Sequence, residues 1–225
     1  LPFSLSACMP FSANERGGQF TFENTSILLK LPGEFSLRNA LAVATLARAL
    51  GIGTKTIASA LGGIESIPGR AERIDAGQDF SVVVDYAHTP DSLTALYSAY
   101  KNVRKICVLS ATGGGRDTWK RPIMGRLADE HCAEVILTDE DPYDEDPTQI
   151  VNDVAHGMSR KPIIVMDRRL AIRGALQLAK PGDAVLITGK GTDPSICRAR
   201  GTKIPWSDAK VAREEVEALQ KERRV

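Results

Sequence analysis

Residues 81–116, "SVVVDYAHTPDSLTALYSAYKNVRKICVLSATGGGR", hold two apolar runs separated by one amphipathic stretch. "SVVVDYA" is short and rich in β-branched residues, which predicts a strand. "PDSLTALYSAYKNV" reads as a helix with Pro90 near its first turn, where the missing N–H costs no hydrogen bond. "KICVLSAT" is the next strand, and "GGGRDTWK" the loop after it. A strand, a crossover helix and a second strand form the unit from which parallel sheets are built.

The alternation continues to the end of the chain. "RPIMGRLADEHC", "DPTQIVNDVAHGM" and "RLAIRGALQLAK" read as helices, and "AEVILT", "KPIIVMD" and "PGDAVLITGKG" as strands. "PWSDAKVAREEVEALQKERRV" opens with a Ser/Asp cap signal and closes as a charged amphipathic helix. The expected fold is α/β, with a mostly parallel sheet. The first part differs. "GGQFTFENTSILLKLP" alternates as a hairpin does, "SLRNALAVATLARALG" is a helix ended by Gly51, and "TKTIASALGGI" is a second short helix. The Pro, Gly and charge content of "SIPGRAERIDAG" marks a boundary, which divides the chain into residues 1–67 and 68–225.

With 225 residues and 43% hydrophobic composition, the chain can bury a substantial core. Lys plus Arg number 29 and Asp plus Glu 28, so no global basic field points to nucleic acid or an anionic membrane. No apolar run is long enough to span a bilayer, and the start carries no signal-peptide pattern. That start, "LPFSLSACMP", lacks an initiator Met, as a processed or truncated chain would. Cys8, Cys107, Cys132 and Cys197 lie far apart with no CxxC pair, which leads us to expect free thiols in a reducing cytoplasm.

In an open parallel sheet, ligands bind beyond the carboxyl ends of the strands, where loops and helix N-termini converge. The loops expected there are "DYAHTP", "TGGGRD", "TDEDPYD", "DRR" and "GKGTD". Asp85 there serves equally as a helix cap or a ligand contact, and His88 alone is weak evidence of a site. Gly113, Gly114 and Gly115 suit either an anion cradle or a plain turn. Neither glycine loop fits the P-loop pattern, because Trp119 stands where Gly must precede Lys120 and Gly191 follows Lys190 in place of Ser or Thr. No GxGxxG follows a strand, which disfavours dinucleotide binding. The acidic run "TDEDPYDEDP", residues 138–147, lacks the Gly turn and terminal Glu of a calcium loop, and no metal site is expected. Asp144, Glu145 and Asp146 are expected to form a solvated approach to the next helix. Glu140, Asp141 and Tyr143, nearer the strand end, are the candidates for ligand contact.

Six motifs together, "LPGEFSLRNALAVATLARALGI", "IPGRAERID", "VVVDYAHTPDSL", "GGGRDTWKRPIMG", "TDEDPYDEDP" and "ITGKGTD", resemble the Mur ligase family in order and spacing. Within it, the branch that adds the third residue of the peptidoglycan stem peptide fits best. The resemblance covers nearly all of the chain after residue 30. It implies the tail of a central α/β ATP-binding domain over 1–67 and a Rossmann-like, amino-acid-binding C-terminal domain over 68–225. It further implies an acyl phosphate made with ATP and Mg2+, and a cytoplasmic reaction between UDP-N-acetylmuramoyl-L-Ala-D-Glu and a diamino acid. Without a P-loop, the chain alone is expected to be inactive, with a monomer the default.

The resemblance assigns Asn39, Arg70, Asp85 and His88 to the ATP side, and Ser36 departs from the Asn usual there. Arg116, Glu140, Asp141, Tyr143, Gly189 and Asp193 match the amino-acid side. No catalytic residue is assigned to this chain, His88 being the nearest candidate. Diaminopimelate-adding members carry Arg where Tyr143 stands and Asn where Asp141 stands, so L-lysine or L-ornithine is the expected substrate. The competing readings are a noncatalytic small-molecule sensor on the same scaffold and a related ligase, either folylpolyglutamate synthase or the ligase that amidates the lipid-linked murein precursor.

Overall fold

The computed structural model describes residues 12–115 and 117–222. The chain divides into two compact units. One carries the residues up to Ile67 together with Ser98–Tyr100, the other Pro68–Tyr97 and the residues from Lys101 on.

In the first unit, β1 (Ser12–Asn14), β2 (Gly17–Phe22) and β3 (Thr25–Leu29) form an antiparallel sheet. The tight turn between β2 and β3 is made by Glu23 and Asn24, both at positive φ, the geometry that two-residue hairpins require. Helices α1 (Glu34–Ala49) and α2 (Thr54–Gly62) follow, and Gly51 supplies the left-handed residue after α1. Phe20, Phe22, Ile27 and Leu29 face Leu37, Ala40, Ala44, Ile57 and Leu61 in one core.

The second unit is built on a six-stranded sheet of order β4-β5-β9-β6-β7-β8. Its members are β4 (Glu72–Arg73), β5 (Ser81–Asp85), β6 (Lys105–Leu109), β7 (Glu134–Leu137), β8 (Ile163–Ile164) and β9 (Ala184–Thr188). All pairings are parallel except β4 with β5. The helices are α3 (Pro90–Ala99), α4 (Lys120–His131), α5 (Pro147–Ala155), α6 (Arg168–Leu178) and α7 (Asp208–Glu222). The mostly parallel α/β sheet read from the sequence is therefore present. Strands β5, β6 and β9 are buried through Val82–Val84, Ile106–Leu109 and Ala184–Ile187, each large side chain contributing about 1.5–3 kcal/mol by leaving water. Against them pack Ala171, Ile172, Ala175 and Leu176 of α6 and Val211, Ala212 and Val216 of α7.

Several details differ from expectation. Helix α3 ends at Ala99, before the polar "KNVR". The run "KPIIVMD" yields only the two-residue β8 at the sheet edge. A hairpin of β10 (Ser195–Cys197) and β11 (Lys203–Pro205) was not expected, because "SICRARGTKIP" lacks an alternating pattern. The thiol expectation is corrected: Cys107 and Cys132 form a disulfide, while Cys197 is free and Cys8 lies outside the described residues. Cys132 caps the carboxyl end of α4 just before β7, and the parallel pairing of β6 with β7 brings it within 6.1 Å of Cys107, Cα to Cα.

The bridge closes a segment of 25 residues, for which chain entropy gives a stabilisation of about 3 kcal/mol. Cys132→Ala, or reduction of the native protein, is expected to lower the urea midpoint accordingly. Alkylation of the unreduced, denatured protein should leave both Cys107 and Cys132 unlabelled.

Candidate functional site

Loops from the carboxyl ends of β5, β6, β7 and β9 meet in a cleft of about 240 Å³. It is smaller than the roughly 300–1,000 Å³ pockets of drug-sized ligands and suits a molecule of amino-acid size. Tyr86 and His88 line it from the first loop, and Thr112, Gly113 and Asp117 from the second, with Lys120 at the start of α4. Glu140, Asp141 and Tyr143 come from the third loop, Gly189 and Asp193 from the fourth.

The acidic loop does not face water as a block. Glu140 is buried and accepts hydrogen bonds from the hydroxyls of Ser110 and Thr112, the latter at 2.8 Å. Asp141 accepts from the Cys197 N–H at 2.7 Å and from Lys190 Nζ at 2.6 Å. Lys190 is 1% exposed and also reaches Asp193 at 3.3 Å. Burial would depress its pKa, but the Asp141 bond and the charges of Asp141, Glu140 and Asp193 raise it. Asp139 pairs with Arg198, and Asp144 accepts from the Arg200 N–H at 2.8 Å. Asp146 caps α5 by accepting from Thr148 N, as expected of a residue before Pro at the first helical turn. Glu145 departs from the solvated reading: it accepts from Gly115 N–H and takes Arg121 Nη2 at 2.8 Å.

Close packing explains two glycines. A Cβ on Gly189, whose φ is +109°, would lie 2.1 Å from Glu140 Oε2. On Gly113 it would lie 2.2 Å from the Pro142 carbonyl oxygen. Both sites need the bare backbone to bring loop against loop.

Behind the cleft sits Arg168, at the start of α6. It is bound to Asp208 through Nε at 2.8 Å and Nη2 at 2.7 Å, and donates to Thr188 O at 2.8 Å and Ser110 Oγ at 3.1 Å. Ser110 in turn donates to Glu140, so the guanidinium reaches the cleft through one hydroxyl.

Among residues assigned by sequence, His88, Glu140, Asp141, Tyr143, Gly189 and Asp193 share this cleft. His88 Nδ1 lies 2.8 Å from Tyr86 O, which leaves Nε2 for other partners. Arg70 is exposed, its guanidinium 4.6 Å from the centre of the Tyr86 ring. Asp85 is buried and uses both oxygens on backbone, Oδ2 accepting from Ala71 N at 2.6 Å and Oδ1 from Ala87 N at 2.7 Å. Burial raises its pKa despite those bonds. Asn39 is exposed on α1 of the first unit, where Ser36 is buried and donates to Pro32 O at 2.6 Å. Arg116 lies outside the described residues. Among the described residues, no cluster of three or more His, Cys, Asp or Glu could hold a metal ion, and no helix is long and apolar enough to cross a membrane. Sequence reasoning missed Ser110, Arg121, Arg168, Lys190 and Asp208. Only the charged "DRR" and "GKG" loops signalled two of them.

The arrangement is that of a carboxyl-edge ligand domain with an amino-acid-sized, acid-lined cleft. Residues 69–191 match the family model described as Mur ligase, glutamate ligase domain. Over 195 residues the chain is 42% identical to the UDP-N-acetylmuramoyl-L-alanyl-D-glutamate--2,6-diaminopimelate ligase of Syntrophomonas wolfei, covering 84% of this chain and 40% of that protein. It is 41% identical to the UDP-N-acetylmuramyl-tripeptide synthetase of a Roseiflexus species, covering 82% of this chain and 38% of the relative. A solved UDP-N-acetylmuramoyl-L-alanyl-D-glutamate--2,6-diaminopimelate ligase superposes with a TM-score of 0.66 at 27% identity, over 95% of this chain and 45% of that one. The UDP-N-acetylmuramate-alanine ligase MurC of Thermotoga maritima shares the fold, with a TM-score of 0.68 at 19% identity, over 96% and 46%. The chain belongs to the Mur ligase family, and it spans about 40% of the length of the curated relatives it matches.

Two outcomes are expected. Gly189→Ala should displace the Glu140 carboxylate and weaken ligand binding in the cleft by at least about tenfold, or about 1.4 kcal/mol, measured by calorimetric titration. The Gly115 N–H and the Arg121 charge hold Glu145 below its ordinary pKa of 4.5. Its ionised form is the bound one, so its contribution to stability is complete above pH 4.5 and lost as pH falls through the lowered value. Urea midpoints across this range should show that loss, and Glu145→Gln should flatten it.

Proposed function

We propose that this chain is the amino-acid-binding part of an ATP-dependent ligase that joins a diamino acid, as third residue, to UDP-N-acetylmuramoyl-L-Ala-D-Glu in peptidoglycan synthesis. The single observation that carries this reading is the acid-lined cleft formed by Glu140, Asp141 and Asp193 in a chain of this family. Among the described residues, the cleft presents four carboxylates, Asp117, Glu140, Asp141 and Asp193, against Lys120 on its wall and Lys190 beneath. A ligand bearing an extra ammonium group is favoured there by Coulomb attraction and charge-assisted hydrogen bonds.

Lys190 binds buried Asp141 at 2.6 Å and reaches the more open Asp193 only at 3.3 Å, so Asp193, with Glu140 held by neutral hydroxyls alone, is the acid proposed for the distal amine. Arg116, next in sequence to the cleft-lining glycine loop, is the group proposed to hold the substrate carboxylate, through its forked donors. Arg70, exposed over Tyr86, and His88 fit the edge of a nucleotide, and Asp85 holds the loops on which they sit. Asn39, exposed on α1, is read by itself as a nucleotide-side residue of the first unit, which we take to be the end of the central ATP-binding domain. ATP with Mg2+, held mainly by residues outside this chain, would supply the activation of the glutamate carboxylate. This chain's own residues bind and orient the incoming amine and shield it from water. The reaction is read as cytoplasmic, and the chain alone as inactive and monomeric.

L-Lysine or L-ornithine is the favoured substrate, because Tyr143 offers no cation to a second carboxylate. meso-Diaminopimelate is the second reading, favoured by the names of the relatives. Phosphate release by the full-length protein with ATP and the UDP-linked dipeptide tests both. Turnover with lysine or ornithine alone is the expected result. A preference for diaminopimelate would overturn the role given to Tyr143, and no turnover with any of the three would overturn the ligase reading.

A further inference from the structure

The loop bearing Arg116 contains three consecutive glycines, Gly113 to Gly115, of which Gly114 and Gly115 adopt positive φ of 84° and 71°. Such a segment has more backbone freedom to lose than any other, so something must hold it if Thr112 and Gly113, which line the cleft, are to meet a ligand reproducibly. Nothing in its own sequence does so. Its partner is the acidic loop. Thr112 donates to Glu140 Oε1 at 2.8 Å, Gly113 N donates to Asp141 O at 2.8 Å, and Gly115 N donates to Glu145 Oε1.

The last of these contacts stands directly before Arg116. Glu145 is not part of the cleft wall, and its other oxygen takes Arg121 Nη2 at 2.8 Å. Arg121 is 2% exposed, is tied by Nη1 to Asp153 of α5 at 2.9 Å, and reaches Thr112 O at 3.3 Å through Nη2. One buried guanidinium thus touches the start of the glycine loop directly and its end through Glu145. A carboxylate fixed by a buried Arg is a stiff acceptor for a backbone N–H, and a charge-assisted bond is about twice as strong as a neutral one.

We propose that Glu145, backed by Arg121, is a positioning residue for amino-acid binding, clamping the glycine loop so that its cleft-lining Thr112 and Gly113 and the acids Glu140 and Asp193 address one ligand together. The proposal rests on the ligase reading of the cleft. Glu145 touches neither substrate nor nucleotide in this account. It acts through the Gly115 amide.

The test uses the full-length protein with Glu145→Ala, which removes both contacts, and Glu145→Gln, which keeps an acceptor for Gly115 but loses the charge facing Arg121. A misplaced loop costs binding where its ligand sits, so Glu145→Ala is expected to raise KM for the amino acid by roughly tenfold or more. KM for ATP should stay within about twofold, and Glu145→Gln should fall between. Hydrogen exchange should show the Gly115 amide losing protection in Glu145→Ala while the β6 amides keep theirs. If the Ala variant fails to fold, the Gln variant decides by the same split. An unmoved amino-acid KM in a protein that turns over overturns the clamp alone, as do equal rises in both KM values. No turnover by the unaltered protein with any diamino acid overturns the ligase reading itself.

Discussion

The buried pairing of Arg168 with Asp208 is the constraint around which the second unit is arranged. Both side chains are sealed from water, where an unpaired ion would cost several kcal/mol. The pair is bidentate, and the Trp206 indole N–H, the Thr188 carbonyl and the Ser110 hydroxyl complete its hydrogen bonding. Those partners lie after β6, at the end of β9 and at the start of α7, while Arg168 opens α6. A single cation therefore fixes the ends of elements that are distant in sequence. Removing one partner of such a pair typically costs about 3–5 kcal/mol, because the other charge is left buried and unanswered.

The same logic explains how six carboxylates can occupy residues 138–147 without driving the loop apart. Five of them are divided among neighbouring elements, Glu140 going to the Ser110 and Thr112 hydroxyls after β6, and the sixth, Asp146, caps α5. Arg198 and the Arg200 amide draw Asp139 and Asp144 onto the β10–β11 hairpin, Lys190 draws Asp141 towards the β9 loop, and Arg121 draws Glu145 towards α4. The loop serves as a junction for four neighbours. What it presents to the cleft is the small remainder of charge that those neighbours leave uncompensated.

The strands of the sheet were legible because continuous apolar runs such as "SVVVD" and "AVLIT" have few other uses in a chain of this size. The loops of the site were legible for a derived reason: they follow those strands. Elements too short to carry a period, β4 and the β10–β11 hairpin, were not. Nor were the pairings of Arg168 with Asp208, Lys190 with Asp141 and Arg121 with Glu145, which join residues 24 to 49 positions apart and leave no local trace. The Cys107–Cys132 bridge belongs to the same class. Glu145 was misread because an acid just before a helix suits solvent and the helix dipole as well as it suits a buried Arg.

The strand order has a consequence in time. Strand β9 lies between β5 and β6 yet is the last of the parallel strands in the chain, pairing residues 184–188 with partners about 80 to 100 positions earlier. Until it emerges from the ribosome, β5 and β6 have a vacancy between them and two unpaired edges, the state in which nascent chains are most exposed to aggregation and most dependent on chaperones. Lys190 and Asp193 follow β9 directly, so the cleft can be completed only after the sheet closes. A chain interrupted before this strand would carry most of the cleft's residues and none of its geometry.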